Sequence, residues 1–331
     1  MNSIICIEPM LDPQNRRFTI YPIEPKYKRL WELYQLQLSS FWKAQEIDFS
    51  KDYDDFQTLN DDEQHFIKCV LAFFANSDGI VNFNLSTRFL QEIQIMEAIN
   101  AYTFQMAMEN IHGESYSLML DNLVRNKEEK TQLFQAFRSV PSIKMLSDWA
   151  FKWIESTDSF AKRLVAFAVV EGVIFSGAFA SIFWLKYRKS DGQLKLSGLI
   201  KSNEFIARDE GLHTIFACEL YQLLTQKLQL EDVVEIIEDG VKCAQYFMTD
   251  ALPCKLLGMN SDDMCRYIEY VADRLLMQLG YQAHYRVSNP FDFMEAIGMT
   301  AKTNFFESRP TEYQSAHVFN QNHTLEMLDD F

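Results

Sequence analysis

The chain has 331 residues, a formal net charge of −15 at pH 7 and a pI of about 4.9. Its Lys and Arg residues form no stripe that could follow a nucleic-acid backbone, so we expect no direct binding to DNA or RNA. The six cysteines show neither C-x-x-C nor zinc-site spacing, which indicates reduced thiols and a cytoplasmic protein. Apolar residues make up 48% of the sequence, enough for a large core.

The pattern along the sequence is that of long helices. The first 25 residues carry four prolines and lack the basic and apolar segments of a signal peptide, so we interpret 1–25 as an extended lead. Asn60 followed by Glu63 matches a capping box and predicts a helix start. Apolar periodicity predicts helices near 26–45, 61–88, 91–124, 141–156, 159–187, 201–225, 229–250 and 260–281. We therefore predict an all-α protein with one helical domain over 26–310 and a flexible tail over 311–331.

One apolar run, 164–185, is long enough to cross a membrane. Glu171 lies inside it, where an unpaired charge would be costly in lipid, and no second span accompanies it. A helix that is apolar all round is also typical of the centre of a large bundle. We expect a buried core helix and no membrane association, and Glu171 then needs a partner.

The pattern Glu-x-x-His occurs twice, at 109–112 and at 210–213, about a hundred residues apart. Each copy places a carboxylate and an imidazole on one helical face, and Tyr116 shares the arc of the first copy, which spans about 60°. Two further acids, Asp78 and Glu171, stand in apolar surroundings. One copy alone is usually a solvated pair; two copies with two buried acids predict a site for two metal ions.

The ligand types favour iron or manganese, because hard metal ions prefer carboxylate oxygens and accept imidazole. Two ferric ions bring six positive charges, and four carboxylates with one bridging oxide balance them, so a neutral cluster can be buried. Ferritin-like di-iron bundles use this combination of single acids and Glu-x-x-His pairs. At this point an oxidase or desaturase, an iron-storage protein and a purely structural bundle all remain open.

Longer stretches of the sequence resemble one family in particular. They are FFANSDGIVNFNL (73–85), FQMAMENIHGESYSLML (104–120), VVEGVIFSGAFASIFWLK (169–186), SNEFIARDEGLH (202–213) and NPFDFMEAIGMTAKTNFFESRPTEYQ (289–314). Together they resemble the small, radical-generating subunit of class I ribonucleotide reductase, of the eukaryotic and large-DNA-virus type. The resemblance implies a ferritin-like di-iron helical bundle with extra helices. It also implies an enzyme, ribonucleoside-diphosphate reductase, that is active only with a large subunit.

The resemblance assigns a role to each candidate residue. It implies an oxo-bridged pair of iron ions per chain, one held by Asp78, Glu109 and His112 and the other by Glu171, Glu210 and His213. Tyr116 matches the tyrosine that stores the radical. The apolar pocket that shields the radical matches Phe175, Phe179 and Ile206, which would otherwise be interpreted as core residues.

Three residues match the path by which, in this family, the oxidising equivalent leaves the metal centre for the large subunit. Trp42 matches the tryptophan of that path, and Asp209 matches the acid that links it to His112. Tyr313 matches the tyrosine that relays the radical across the subunit interface. Without the resemblance, Trp42 would be a core aromatic and Tyr313 an ordinary tail residue.

The acidic C-terminal segment matches the tail that docks on the large subunit, with Leu325, Leu328 and Phe331 as apolar anchors. The resemblance also implies a homodimer in the cytoplasm, or in the host cytoplasm if the source is a virus. One departure is Phe83, at a position where relatives carry an acid that binds no metal. The sequence has no closely spaced cysteine pair and no glycine-rich phosphate loop, so we expect the nucleotide to bind on the large subunit.

Overall fold

The fold was described from a computed structural model that covers residues 8–187 and 196–294. Helices account for all the regular secondary structure in these two ranges, as predicted for an all-α protein. The chain divides into two compact units, Met1–Phe291 and Asp292–Phe331, and of the second only three residues are described. The predicted boundaries of the tail and the helical domain near 310 therefore lie outside the described residues.

Nine long helices build the first unit within the described ranges. They are α1 (Lys28–Ser39), α2 (Asp61–Asn84), α3 (Met96–Leu123), α4 (Pro141–Ile154), α5 (Phe160–Val169), α6 (Ser176–Tyr187), α7 (Ser197–Gln222), α8 (Leu230–Tyr246) and α9 (Ser261–Gln278). Short helices that were not predicted span Asp52–Gln57, Lys127–Phe134 and Ala136–Ser139. The predicted first helix, 26–45, was too long at its C-terminal end: α1 ends at Ser39, and Trp42 lies in the loop that follows.

Helix starts are set by side-chain caps. The predicted capping box is confirmed at α2, where Asn60 Oδ1 accepts from the Glu63 amide at 2.9 Å and Glu63 Oε2 accepts from the Asn60 amide at 3.1 Å. Helix α7 is capped from a distance: the carboxylate of Asp52 accepts the amides of Gly198 at 2.9 Å and Leu199 at 2.7 Å. This long-range cap fixes the start of the helix that carries the second Glu-x-x-His.

The predicted helix over 159–187 is interrupted by a π-helical turn, Val170–Ile174, between α5 and α6. The Phe175 amide donates to the carbonyl of Val170 instead of to that of Glu171, at 3.4 Å. Gly172 in this turn faces α7 so closely that a Cβ atom would lie 2.9 Å from Thr214 Cγ2. A π-helical turn often marks a functional site. This one carries Glu171, and its Gly172 lies against Thr214, the residue that follows His213.

The expectation that no second such run accompanies 164–185 was wrong. Two stretches, Asp61–Glu92 and Phe160–Tyr187, are long and apolar enough to cross a membrane by length and composition. The mean hydropathy of their most apolar windows is 1.3 and 2.0. In the second stretch 89% of that window is buried inside the fold, between α7, α8 and α9. Such burial agrees with the prediction of a core helix, and Glu171 has polar neighbours there, as its burial requires.

Replacing Gly240 with alanine is expected to lower the free energy of unfolding by about 1–3 kcal/mol, because α8 packs tightly on α5 at this position. A Cβ atom on Gly240 would lie 2.3 Å from Val169 Cγ1 and 3.4 Å from a ring carbon of Trp149, so the core must shift. Denaturant unfolding measures the change. Gly79→Ala is the matched control, since nothing lies within 4 Å of its Cβ position and alanine favours helix. Equal effects of the two substitutions would contradict the packing argument.

Candidate metal centre

Four helical segments bring the predicted ligands together. Asp78 is on α2, the first Glu-x-x-His is on α3, Glu171 is on the π-helical turn and the second Glu-x-x-His is on α7. Each of the six side chains is at most 3% exposed: Asp78, Glu109, His112, Glu171, Glu210 and His213. The two sequence motifs therefore meet in the core, although a hundred residues separate them.

The donor atoms fall into two groups, and within each group the atoms lie within 4.8 Å of one another. One group is Asp78, Glu109 and His112. The other is Glu109, Glu171, Glu210 and His213. The grouping agrees with the predicted division of ligands and adds that Glu109 belongs to both groups. A carboxylate with two oxygens can serve two neighbouring ions, so this arrangement fits a pair of metal ions better than two separate sites.

Several of the candidate metal-ligand atoms lie close together without forming hydrogen bonds to one another. His112 Nδ1 lies 2.9 Å from Glu210 Oε1, yet within the described ranges neither atom has a partner in hydrogen-bond geometry. The same holds for one oxygen each of Asp78, Glu109 and Glu171. Buried polar atoms are normally satisfied. Oxygen and nitrogen lone pairs that face a common point in a dry core are what a bound cation requires, so the residues fit a metal centre.

Protonation of the site reflects the cost of burying so many acids together. Burial raises the pKa of Asp78 and of Glu171 well above the usual range, and neighbouring carboxylates, Glu109 and Glu210 respectively, raise it further. Burial alone would also raise the pKa of Glu210, but His213, with which it forms an ion pair, and then the nearby Glu171 and His112 lower it. Burial lowers the pKa of His213, but the carboxylates of Glu210 and Glu109 outweigh this effect and raise it to about 9. Cations would relieve the repulsion among the acids.

Tyr116 is fully buried two turns beyond Glu109 on α3. Its ring stacks on Phe74 with centroids 4.7 Å apart and planes inclined by 6°. Phe74 in turn contacts Phe175 and Phe179, at 5.7 Å and 4.7 Å between centroids. The predicted pocket residues Phe175 and Phe179 thus lie behind Phe74, which covers the ring of Tyr116, and Ile206 is buried on α7.

The phenol oxygen of Tyr116 has no hydrogen-bond partner in the part of the protein that the structure describes. Burial, and then the charges of Asp78, Glu210 and Glu109, raise the pKa of Tyr116 well above its ordinary value. The side chain is therefore a neutral phenol in an apolar shell beside the acidic cluster. Such a shell excludes water and other reductants from the ring.

Trp42, Asp209 and His112 form a series of contacts that leads out of the cluster. Trp42 Nε1 donates to Asp209 Oδ2 at 2.8 Å, and the same oxygen lies 3.1 Å from His112 Nε2. The Trp42 and His112 rings are nearly parallel, inclined by 22°, with centroids 6.0 Å apart. Metal-binding histidines commonly donate their second nitrogen to a carboxylate in this way. The structure thus brings Trp42 and Asp209 together as the resemblance implied.

The comparisons with known proteins agree with this geometry. The family model for the small chain of ribonucleotide reductase matches residues 17–290. The chain belongs to this family. A ribonucleoside-diphosphate reductase small chain of Arabidopsis thaliana is 50% identical over 98% of this sequence and 95% of its own length. The small chain from vaccinia virus (strain Ankara) is 51% identical over 98% of this sequence and 99% of its own length.

Solved structures extend the comparison to the fold. The Rnr4 homodimer of the ribonucleotide reductase from Saccharomyces cerevisiae superposes with a TM-score of 0.79 and 34% identity, over 89% of this protein and 92% of the other. The dimanganese NrdF of Streptococcus sanguinis has the same fold, with a TM-score of 0.69 at 18% identity, over 84% of this protein and 96% of the other. The predicted family and its ferritin-like fold are therefore confirmed.

Three residues around the centre of this small chain were not predicted. Gln105, one turn before Glu109, donates Nε2 to Glu171 Oε1 at 3.1 Å and to Glu109 Oε1 at 3.3 Å. Arg208 donates to Asp209 Oδ1 at 3.0 and 2.8 Å and to the carbonyl of Ser40 at 2.7 Å. Phe74 carries the stack on Tyr116. Gln105 could have been found from its helical face, whereas Arg208 and Phe74 depend on tertiary contacts.

The remaining predicted residues of this small chain are in the tail. They are Tyr313, Leu325, Leu328 and Phe331, and all four lie outside the described residues. Their roles stay predictions.

Proposed function

We propose that this protein is the radical-generating small subunit of a class I ribonucleoside-diphosphate reductase and holds a pair of iron ions beside a tyrosine that stores the radical. The observation that carries the proposal is the position of Tyr116, a fully buried, neutral phenol next to a six-ligand cluster. Storage proteins and desaturases need the cluster but not this phenol. When iron is bound, the centre supplies, with dioxygen, the one-electron oxidation of a phenol.

The protein's own residues determine where that oxidation occurs. Asp78, Glu109 and His112 would hold one ion and Glu171, Glu210 and His213 the other, with Glu109 available to both. Tyr116 would lose an electron to the centre and its phenolic proton to Asp78, the carboxylate whose charge acts on the phenol most strongly. The charges of Asp78, Glu210 and Glu109 disfavour the phenolate but favour loss of an electron. The apolar ring shell would then keep reductants and water away from the oxidised ring.

Trp42 and Asp209 would carry the oxidising equivalent out of the cluster. The indole of Trp42 is 3% exposed, donates to Asp209 and lies parallel to the His112 ring, so electron transfer needs no movement of side chains. Burial would raise the pKa of Asp209, but His112 above all, and then Arg208 and the Trp42 indole, lower it and keep the carboxylate ionised. Arg208 also donates to the carbonyl of Ser40, which lies in the loop that carries Trp42, and so links Asp209 to that loop. From Trp42 the equivalent would pass to Tyr313 and then to a cysteine of the large subunit.

A decisive experiment counts iron and records the radical in one preparation. Metal-free protein is given ferrous iron and oxygen, and we expect about two irons per protomer and a tyrosyl signal by electron paramagnetic resonance. Glu109→Ala is the control, because it removes the carboxylate common to both groups and is expected to lose both ions. Many irons per protomer would instead identify a storage protein. Two irons without a radical would favour an oxidase, and no iron a structural bundle.

We propose that the acidic tail docks on the large subunit and that two copies of this protein form a homodimer. Deleting residues 325–331 is then expected to abolish ribonucleotide reduction with the large subunit, since three apolar anchors are lost. The radical signal and the iron content should not change, because the cluster lies elsewhere in the sequence. The measurement is turnover together with binding to the large subunit by surface plasmon resonance. Undiminished binding of the truncated protein would contradict the docking role.

A further inference from the structure

An apolar crevice lies where α2, α4 and α5 meet the π-helical turn. It is a narrow, partly solvent-open crevice with a cavity volume of about 30 Å³. The exposed end is lined by partly exposed residues such as Ile80, Ala150 and Trp153, and the buried end by Phe73, Ile174 and Phe175. The crevice thus runs from the surface to buried aromatic side chains of the core.

The buried end includes residues of the turn that carries Glu171. Val170 and Ile174, which line the crevice, begin and end the π-helical turn that carries Glu171. The ring of Phe175 lies 5.8 Å from that of Phe73 and 5.7 Å from that of Phe74, between centroids. Because Phe74 stacks on Tyr116, the rings of Phe73 and Phe175 face the crevice on one side and the shell of Tyr116 on the other.

Three polar side chains of the lining are hydrogen-bonded to the protein itself, whereas the buried Nε1 of Trp153 has no hydrogen-bond partner among the described residues. Ser77 Oγ donates to the carbonyl of Phe73 at 2.8 Å, and Ser147 Oγ to that of Ile143 at 3.0 Å. Arg163 donates to both carboxylate oxygens of Glu92, at 2.8 and 2.6 Å. Apart from the Trp153 indole, these side chains offer little to orient a polar ligand. Apolar cavities in proteins take up apolar molecules such as benzene or xenon.

We propose that this crevice is the entry site for dioxygen on its way to the metal centre. The inference rests on the proposed function, in which the centre consumes dioxygen. Each of the six predicted ligands is at most 3% exposed, so the gas must cross protein to reach them. Dioxygen is small and apolar, and the crevice is apolar and ends at the turn that carries Glu171.

Xenon tests the site without iron, because it is an apolar atom that binds where dioxygen can. Crystals of the metal-free full-length protein under xenon pressure are expected to show xenon between Ala150, Val170 and Phe175. Ala150→Leu fills the crevice from α4 and should displace it, whereas Ala150→Ser keeps the space and should not. Ile80→Phe fills the crevice from α2 and serves as a second filled variant. Absence of xenon from the wild-type crevice would overturn the proposal.

Kinetics test the route. Ferrous protein is mixed with limiting dioxygen in a stopped-flow instrument, and formation of the radical is followed by absorbance. We expect the rate in Ala150→Leu and Ile80→Phe to fall about tenfold, while the final radical content and the rate in Ala150→Ser stay at the wild-type value. Wild-type rates in both filled variants would overturn the entry role. If wild-type protein forms no radical, the proposed function fails instead, and the xenon result still stands on its own.

Discussion

Replacing Tyr116 with phenylalanine is expected to abolish the stable radical and lower ribonucleotide reduction by at least about 100-fold, with the iron content unchanged. The substitution removes only the phenol oxygen, the atom at which the proton and the electron would be lost. No described residue hydrogen-bonds to that oxygen, so its removal leaves no buried group unsatisfied. The stack on Phe74, at 4.7 Å between centroids, can persist with a phenylalanine ring.

The measurement is an electron paramagnetic resonance spectrum after loading with ferrous iron and oxygen, beside an iron count and a thermal unfolding curve. Tyr102→Phe is a matched control, because Tyr102 is a second fully buried tyrosine of α3, also seven residues from Glu109 but on the N-terminal side. Its phenol oxygen likewise has no hydrogen-bond partner among the described residues. We expect Tyr102→Phe to keep the wild-type spectrum. A wild-type spectrum from Tyr116→Phe would show that the radical resides on another residue.

Much of the site could be predicted because residues three, four or seven positions apart in a helix lie on the same face. Glu109, His112 and Tyr116 share a face of α3 by arithmetic alone, and Glu210 and His213 share a face of α7. The spacing cannot say that the two faces meet; the resemblance supplied that, and the structure brings their donor atoms within 4.8 Å. The dual position of Glu109 was not predicted, because it depends on the packing of α3 between α2 and α7.

The missed features share a physical cause. The π-helical turn at Glu171 lies where Gly172 approaches Thr214, a contact between segments that are forty residues apart. Periodicity in one segment cannot reveal such a contact, and the apolar run therefore appeared as a single straight helix. Arg208 was missed for a similar reason: it follows Ala207 on a helix with many polar residues, and only its bonds to Asp209 and Ser40 indicate a role.

Replacing Asp209 with asparagine is expected to leave the iron content and the radical intact and to lower ribonucleotide reduction by about 100-fold, because it disrupts the hydrogen bonds that join Trp42, His112 and Arg208 through this carboxylate. One oxygen, Oδ2, accepts from Trp42, and the other, Oδ1, accepts twice from Arg208. An asparagine must place its amide nitrogen at one of these positions. Two donors then face each other, whichever way the amide is turned.

A double-mutant cycle with Trp42→Phe distinguishes a role of Asp209 in transferring the oxidising equivalent from a purely structural role. If Trp42 and Asp209 act on one path, the double variant should lose no more activity than the worse single variant, since the effects of residues that act as a unit do not add. Radical content, iron content and thermal stability are measured for all four proteins, with binding to the large subunit as a further control. Loss of the radical in Asp209→Asn would contradict a role in transfer alone, because Asp209 would then be required to hold His112 in place. Additive losses in a double variant with an intact radical would mean that Trp42 and Asp209 act independently.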